Sequence, residues 1–560
     1  MHSGRRAAHA GKIAQMVWIG LLVTGLSAQV SETGRRIGFP EDWTHHRIKF
    51  STAALRQNFA IASREPRAAL QLYRETRASF VPPAASSGFT SAAAPHADWS
   101  VNFGPNPPGP RVQAGQFPAK WNLDPTQPVT ATNCTTDYVI YALNVPGVTG
   151  GQASVVGFYN LYAGAGGLCA GGVPLLLFAY NTTTVAGGKI FTSPVLSLDG
   201  TKVAFVEMTT AAPRTAIFHV LTIPAPGTSG TSTTTTSVAP PAGAMTSLTI
   251  AAASDTRSSP WVDYANDIAY VSADNGRLYK ITGVFKTTTP ALVATSPWPI
   301  LINNTNSVLT SPVLDVTGNV FMGAGNGNLY SVNVNAAVPV VKVLHVGTTG
   351  VQNPSIYDSP LLDSSGGSVF AVSSNDSTTN HSAVVVQAGT TNLNEIARVS
   401  IGEGSTAGTN VNLYDGDFDN NFTTPLTGHM LICGTGATDT TPYRYLLGFD
   451  ASGKLIPGPS VQLSTNAGGR CSPVTEFFNQ NIGTGGTDYF FLGVTHCPTS
   501  ANGCVMSLVN GATGLTSAQV GGTSGIIVDN NSTQGQASSI YFSTEQVPLN
   551  AVKLTQAGLN

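Results

Sequence analysis

The residues best suited to chemistry in this sequence are acidic and closely spaced. Asp415-Gly416-Asp417-Phe418-Asp419 alternates three carboxylates over five positions. Oxygen donors at that spacing can converge on a hard cation, so Asp415, Asp417 and Asp419 form a candidate Ca²⁺ loop. The match to an EF-hand is incomplete: glycine is absent at the sixth position, and Leu426 stands where the closing glutamate belongs. A solvated turn with side chains bonded to backbone is the plainer reading. Asp263, Asp315 and Asp363 invite a paired-carboxylate hydrolase. Each ends the same pattern, Ser-Pro followed by two apolar residues, which favours a turn role repeated from unit to unit. His45 and His46 adjoin; neighbours point apart on a strand and lie ~100° apart on a helix, so they seldom chelate one ion. His219, His345, His381, His429 and His496 stand singly. No GxSxG, HExxH, Walker loop or dinucleotide fingerprint occurs in the right context. The sequence therefore nominates no catalytic residue and no cofactor site beyond the candidate Ca²⁺ loop.

Cys134, Cys169, Cys433, Cys471, Cys497 and Cys504 form an even set without CxxC or zinc-site spacing. An even count in an exported chain favours disulfides, and six cysteines allow 15 pairings. Proximity suggests Cys134–Cys169, Cys433–Cys471 and Cys497–Cys504.

Export is itself a reading of the N-terminus. Arg5, Arg6 and Lys12 precede an apolar stretch, Met16 to Ala28, that is too short to span a bilayer. Residues 1–28 read as a signal peptide, and no later stretch is long and apolar enough for a transmembrane span. The protein is thus expected to be secreted or periplasmic.

Composition narrows the elements that can position these residues. Of 560 residues, 10% are charged, with 27 Lys+Arg against 29 Asp+Glu, while Gly (60) and Pro (35) are abundant. This argues against helical bundles and coiled coils. The 42% apolar content argues against a disordered chain. A net charge of -2 gives no reason to expect nucleic acid. The charge is unevenly spread: residues 1–80 carry 12 basic and 5 acidic residues, and the remainder carry 15 and 24. Residues 29–80 read as a helical leader, with two short helices meeting near Glu65-Pro66. Residues 81–120 read as a Pro/Ala/Gly-rich linker. The body, 121–560, alternates short β-rich runs with Gly, Asn, Asp and Ser turns.

The body is self-similar. Ser193-Pro194-Val195-Leu196, Ser259-Pro260-Trp261-Val262, Ser311-Pro312-Val313-Leu314 and Ser359-Pro360-Leu361-Leu362 recur, with weaker copies at Thr424-Pro425-Leu426 and Ser472-Pro473-Val474. Divergent copies near Cys134 and Gly525 give seven or eight units. A period of roughly 50 residues with several strands each predicts an all-β protein, a seven- or eight-bladed β-propeller preceded by the helical leader. Stacked sandwich domains would need a period roughly twice as long. The Thr/Ser-rich stretch 224–243 reads as a surface loop.

Leu446-Leu447-Gly448-Phe449-Asp450-Ala451-Ser452-Gly453-Lys454-Leu455 resembles the third-strand element of quinoprotein-type (PQQ-like) propeller repeats, and Gly276-Arg277-Leu278-Tyr279 and Gly327-Asn328-Leu329-Tyr330 are similar to it. The resemblance implies fold rather than activity. Quinone enzymes also carry features missing here, such as vicinal cysteines. The stretches Asp42-Trp43-Thr44-His45-His46 and Pro118-Ala119-Lys120 resemble those of a group of secreted bacterial β-propeller proteins to which no reaction is assigned.

The expectation is a secreted, monomeric, non-catalytic binding or surface-interaction module for an extracellular glycan or protein. The Ser/Thr/Asn-rich, charge-poor surface suits a neutral polysaccharide. The alternative is an extracellular enzyme, a polysaccharide lyase or hydrolase or a quinone-dependent oxidoreductase, with its site at the propeller channel.

Overall fold

A computed structural model describes residues 38–555, except 59–60, 62–63, 78–95, 105–108, 124–128, 165, 227–235, 288, 306, 349–354, 379–381, 406–410, 423, 480–485, 498–501, 513–514, 520 and 531–537. The expected signal peptide, His381 and the centre of the 224–243 loop lie outside the described residues.

Eight sheets, antiparallel but for one added strand in the fifth, form an eight-bladed β-propeller. Blade 1 runs outward from Ala119–Asn122 through Tyr138–Ala142 and Val155–Tyr159 to Leu175–Tyr180. The inner strands of blades 2 to 8 are Val195–Leu196, Trp261–Asp263, Val313–Leu314, Leu361–Asp363, Asp417–Phe418, Thr475–Asn479 and Ile527–Asn530. The second and third strands are nearly continuous apolar runs, as in Val203-Ala204-Phe205-Val206 and Ala383-Val384-Val385-Val386, because both faces pack against neighbouring blades.

The repeat works as local chemistry. Asp315 accepts hydrogen bonds from the Thr317 and Asn319 amides, both at 2.8 Å, and so closes the turn between first and second strands. Asp363 does the same for Ser365 and Gly366, and Asp263 for Ala265 and Asn266. The turn role expected for these aspartates is therefore the one they play. Gly276 sits at φ +74°, where a Cβ would lie 2.3 Å from the Asn303 carbonyl oxygen, so only glycine fits.

The ring closes by mixing chain ends. His96–Asn102 is the outermost strand of blade 8, pairing antiparallel with Asn550–Thr555. Trp99 Nε1 donates to the Leu161 carbonyl of blade 1 at 3.1 Å, and Lys120 of blade 1 meets Asp529 of blade 8 at 2.9 Å, both side chains fully buried.

Three sequence expectations need correction. Residues 81–120 are not simply a linker, since they supply the closing strand and Ala119–Lys120 of the blade 1 inner strand. Thr424-Pro425-Leu426 does not open a blade. Blade 6 opens at Asp417–Phe418, within the stretch read as a turn and a candidate Ca²⁺ loop. The leader contains the expected helices, Thr52–Gln57 and Pro66–Arg77, but it is not a separate unit. Phe39–Glu41 pairs antiparallel with the inner strand of blade 1, and Ile48–Lys49 pairs in parallel with that of blade 5. In a ring of eight these blades stand opposite one another, so the leader crosses the hub. Trp43, Ile48, Phe50 and Leu55 join one buried cluster with Trp261, Val313, Leu362 and Ile527.

Candidate functional site

The hub has two ends. The leading end holds the segments that enter the inner strands, and the trailing end holds the turns that follow them.

At the trailing end the leader fills the channel. Asp42 begins a 3-10 turn, Trp43–His46, by accepting from the Thr44 amide at 3.0 Å and the Thr44 hydroxyl at 2.6 Å. Trp43 meets Trp261 of blade 3 edge-on, with ring centroids 5.7 Å apart. Arg67, in the first turn of the helix Pro66–Arg77, is fully buried, with its guanidinium 4.3 Å from the Trp261 ring. It donates to Thr44 Oγ1 at 2.7 Å and to the Val262 carbonyl at 3.0 Å. A guanidinium suits this place because its planar face stacks while its edge bonds.

The acidic hub receives the leader's cations. Arg47 Nη2 lies 2.6 Å from Asp358 and its Nη1 lies 3.0 Å from Asp415. Lys49 Nζ lies 2.9 Å from Asp417 and 3.9 Å from Glu476. Burial opposes the Arg47 charge, but Asp358 and Asp415 outweigh it and raise its pKa. Asp419 turns away to His429, at 2.8 Å from Nδ1. The three aspartates of the candidate Ca²⁺ loop thus face three different partners and form no single ligand set. Among the described residues, no group of three or more His, Cys, Asp or Glu side chains could hold a metal ion. The alternation does have structural meaning: it belongs to a strand at the hub, and its cations come from the same chain.

His45 and His46 diverge, as neighbours should. His45 lies 3.5 Å from Asp42, and His46 stacks on Phe117 at 5.1 Å. They border a cavity of about 90 Å³ with Lys49 and Glu476. His219 is fully buried in blade 2, between Glu207 at 2.8 Å and Ser247 at 2.9 Å. The order Ser-His-Glu looks like a nucleophile relay, but Glu207 also accepts from Thr184 and Val185, and the set ties three strands to one loop.

At the leading end, Gln116 Oε1 accepts from the hydroxyls of Ser193 at 2.9 Å and Ser259 at 2.8 Å. The same serines link blades: the Ser193 amide donates to Ser259 Oγ, and the Ser259 amide to Ser311 Oγ. Beside this seal a recess of about 380 Å³ opens among blades 3, 5, 6 and 7. Arg257 stacks over Tyr357 at 3.7 Å, Tyr357 meets Tyr414 edge-on at 5.4 Å, and exposed Arg470 forms the rim. The disulfide Cys433–Cys471 fixes one wall. Cys134–Cys169 and Cys497–Cys504 complete the three pairs that proximity suggested.

Arg47, Lys49, Arg67, Arg257 and Tyr414 were not singled out from sequence. For the first three a signal existed, the basic leader against the acidic body. For Arg257 and Tyr414, which precede inner strands of different blades, there was none.

No family model matches the chain, and no curated protein is significantly similar to it. Among solved structures it is similar to BamB from Moraxella catarrhalis, at 14% identity and TM-score 0.41, over 73% of this chain and 95% of that one. It is similar to Sqt1 from Saccharomyces cerevisiae, at 10% identity and TM-score 0.47, over 83% and 100%. A third likeness is to the C-terminal WD40 domain of Sif2, at 7% identity and TM-score 0.43, over 83% and 99%. At these identities the likeness concerns architecture and carries nothing about ligand or activity.

Proposed function

We propose that this protein is a secreted, non-catalytic β-propeller that binds an extracellular glycan at the leading end of its hub. The observation that carries the reading is the closed channel. An enzyme of this architecture would gather acids, histidines or arginines from several blades around an open axial site. Here the acids that gather, Asp358, Asp415, Asp417 and Glu476, are met by Arg47 and Lys49 of the leader. What stays open is a recess on a rigid face, the usual place for a propeller to present a binding surface. Three disulfides and the signal-like N-terminus support an oxidising compartment. The test is retention on immobilised neutral and acidic polysaccharides, followed by sizing of the eluted glycan. Retention with the glycan intact is expected. Shortened or unsaturated products, or no retention on any polysaccharide, would overturn the reading.

A further inference from the structure

We propose that the leading-end recess recognises a uronate, an acidic sugar whose carboxylate is taken by Arg257 and Arg470 and whose neighbouring oxygens meet the phenol of Tyr414. This rests on the binding-module reading and replaces the neutral polysaccharide suggested by surface composition with a charged one.

The recess presents cations at its surface, with Glu545 and Asp274 set behind Arg470 and Arg257. Two arginines line it and no Asp or Glu does, although across residues 81–560 acids outnumber bases 24 to 15. Two of its donors are also unpaired. Tyr414 is 6% exposed, and its hydroxyl has no hydrogen-bond partner among the described residues. Burial, helped by Tyr357 and Glu545 and opposed by Arg470, raises its pKa well above that of an ordinary phenol, so it stays a donor. Arg257 Nη1 is likewise buried without a partner among the described residues. A donor buried with its hydrogen bond unmade carries a desolvation penalty, which an acceptor-rich ligand would relieve. Stacking on Tyr357 holds the Arg257 plane and leaves its edge to meet a planar carboxylate by paired hydrogen bonds.

The rest of the lining favours a sugar over an acidic peptide. Thr440 Oγ1 donates to the Ala467 carbonyl at 3.1 Å, and Ser472 Oγ to the Pro473 carbonyl at 3.0 Å. With its proton so used, Thr440 Oγ1 offers lone pairs to an incoming hydroxyl, whereas Ser472 Oγ already accepts from the Gly493 amide at 2.8 Å. A uronate ring brings hydroxyls beside its carboxylate; an aspartate or glutamate side chain brings only methylenes. The volume of about 380 Å³ lies in the range of small-ligand pockets.

The experiment is calorimetric titration of the full chain with oligogalacturonate, its methyl ester, a neutral cello-oligosaccharide and an oligoglutamate peptide. Oligogalacturonate should bind at least tenfold more tightly than the other three. Arg257→Gln and Arg470→Gln should each weaken it roughly tenfold, and Tyr414→Phe several-fold, with melting temperatures near that of the parent. Tyr414→Phe keeps the ring, so it remains informative if Arg257→Gln fails to fold. Equal binding of the methyl ester or the neutral sugar would sink carboxylate recognition while leaving a glycan-binding module standing. Equal binding of oligoglutamate would make the ligand an acidic peptide and overturn the sugar. Oligogalacturonate bound unchanged by all three variants would place it elsewhere. Binding to none of the four would overturn the uronate, and the polysaccharide panel would then judge the module reading separately.

Discussion

Arg47 faces two buried carboxylates, and its removal leaves both without their cation. Breaking such a site by deleting one partner typically costs about 3–5 kcal/mol, because the remaining charge stays buried. Arg47→Ala should therefore lower the denaturant midpoint by that order. Arg47→Met with Asp358→Asn and Asp415→Asn should recover much of the loss, since removing the charges together removes the desolvation penalty. A triple variant no more stable than Arg47→Ala would show that the guanidinium matters for its shape rather than its charge. Glu545 offers a pH test. Burial raises its pKa from 4.5 to about 7, with Arg111 and Arg470 acting the other way. A folded pKa above the unfolded one means that stability from this group is full below about pH 4.5 and is lost as pH rises through 7. Within that window the slope should come to about 1.4 kcal/mol per pH unit. Chemical denaturation at pH 4.5 and 7.5 should show Glu545→Gln losing less stability than the parent over the interval.

Ring closure is decided by an element. His96–Asn102 pairs with a strand from the far end of the chain, and Trp99 inserts between blades 8 and 1. Trp99 is 4% exposed, so Trp99→Ala should cost about 3–5 kcal/mol, read as a shift in denaturant midpoint. A change under about 1 kcal/mol, the size of an average substitution, would mean the ring is held by other contacts. The disulfide Cys433–Cys471 joins the second strand of blade 6 to the segment entering blade 7. Replacing both cysteines with serine should cost about 2–4 kcal/mol. It should also weaken binding in the recess that the bridge walls, measured with the same titration.

For the whole molecule, the charge split explains assembly. The basic leader and acidic body read as two regions, yet Arg47, Lys49 and Arg67 are the means by which the leader docks in the hub. A chain beginning at residue 81 keeps the closing strand but exposes Asp358, Asp415, Asp417 and Glu476. It should be markedly less stable, and a synthetic 38–77 peptide should restore stability in trans, less well as salt rises. A truncated chain as stable as the parent would show that the leader is an ornament of the fold.

The all-β class, the propeller, the turn aspartates and the disulfide pairs were legible in the sequence, because they follow from local rules: strand periodicity, Asx turns and a repeat of roughly 50 residues. Blade 6 was misread. Thr424-Pro425 mimicked a blade opening, while the true inner strand, Asp417–Phe418, is short and half acidic. His96–Asn102 lies in the stretch read as a linker: Ala97, Trp99 and Val101 alternate with polar residues as in a half-buried strand, but the Pro/Ala/Gly-rich surroundings hide that signal. What the acidic run is for became visible only in the folded ring. Its partners Arg47 and Lys49 belong to the opposite end of the sequence, and a pairing made across a hub has no local period to betray it. The recess has the same origin: Arg257, Tyr357, Tyr414 and Arg470 come from four blades, and only closure of the ring brings them to one wall.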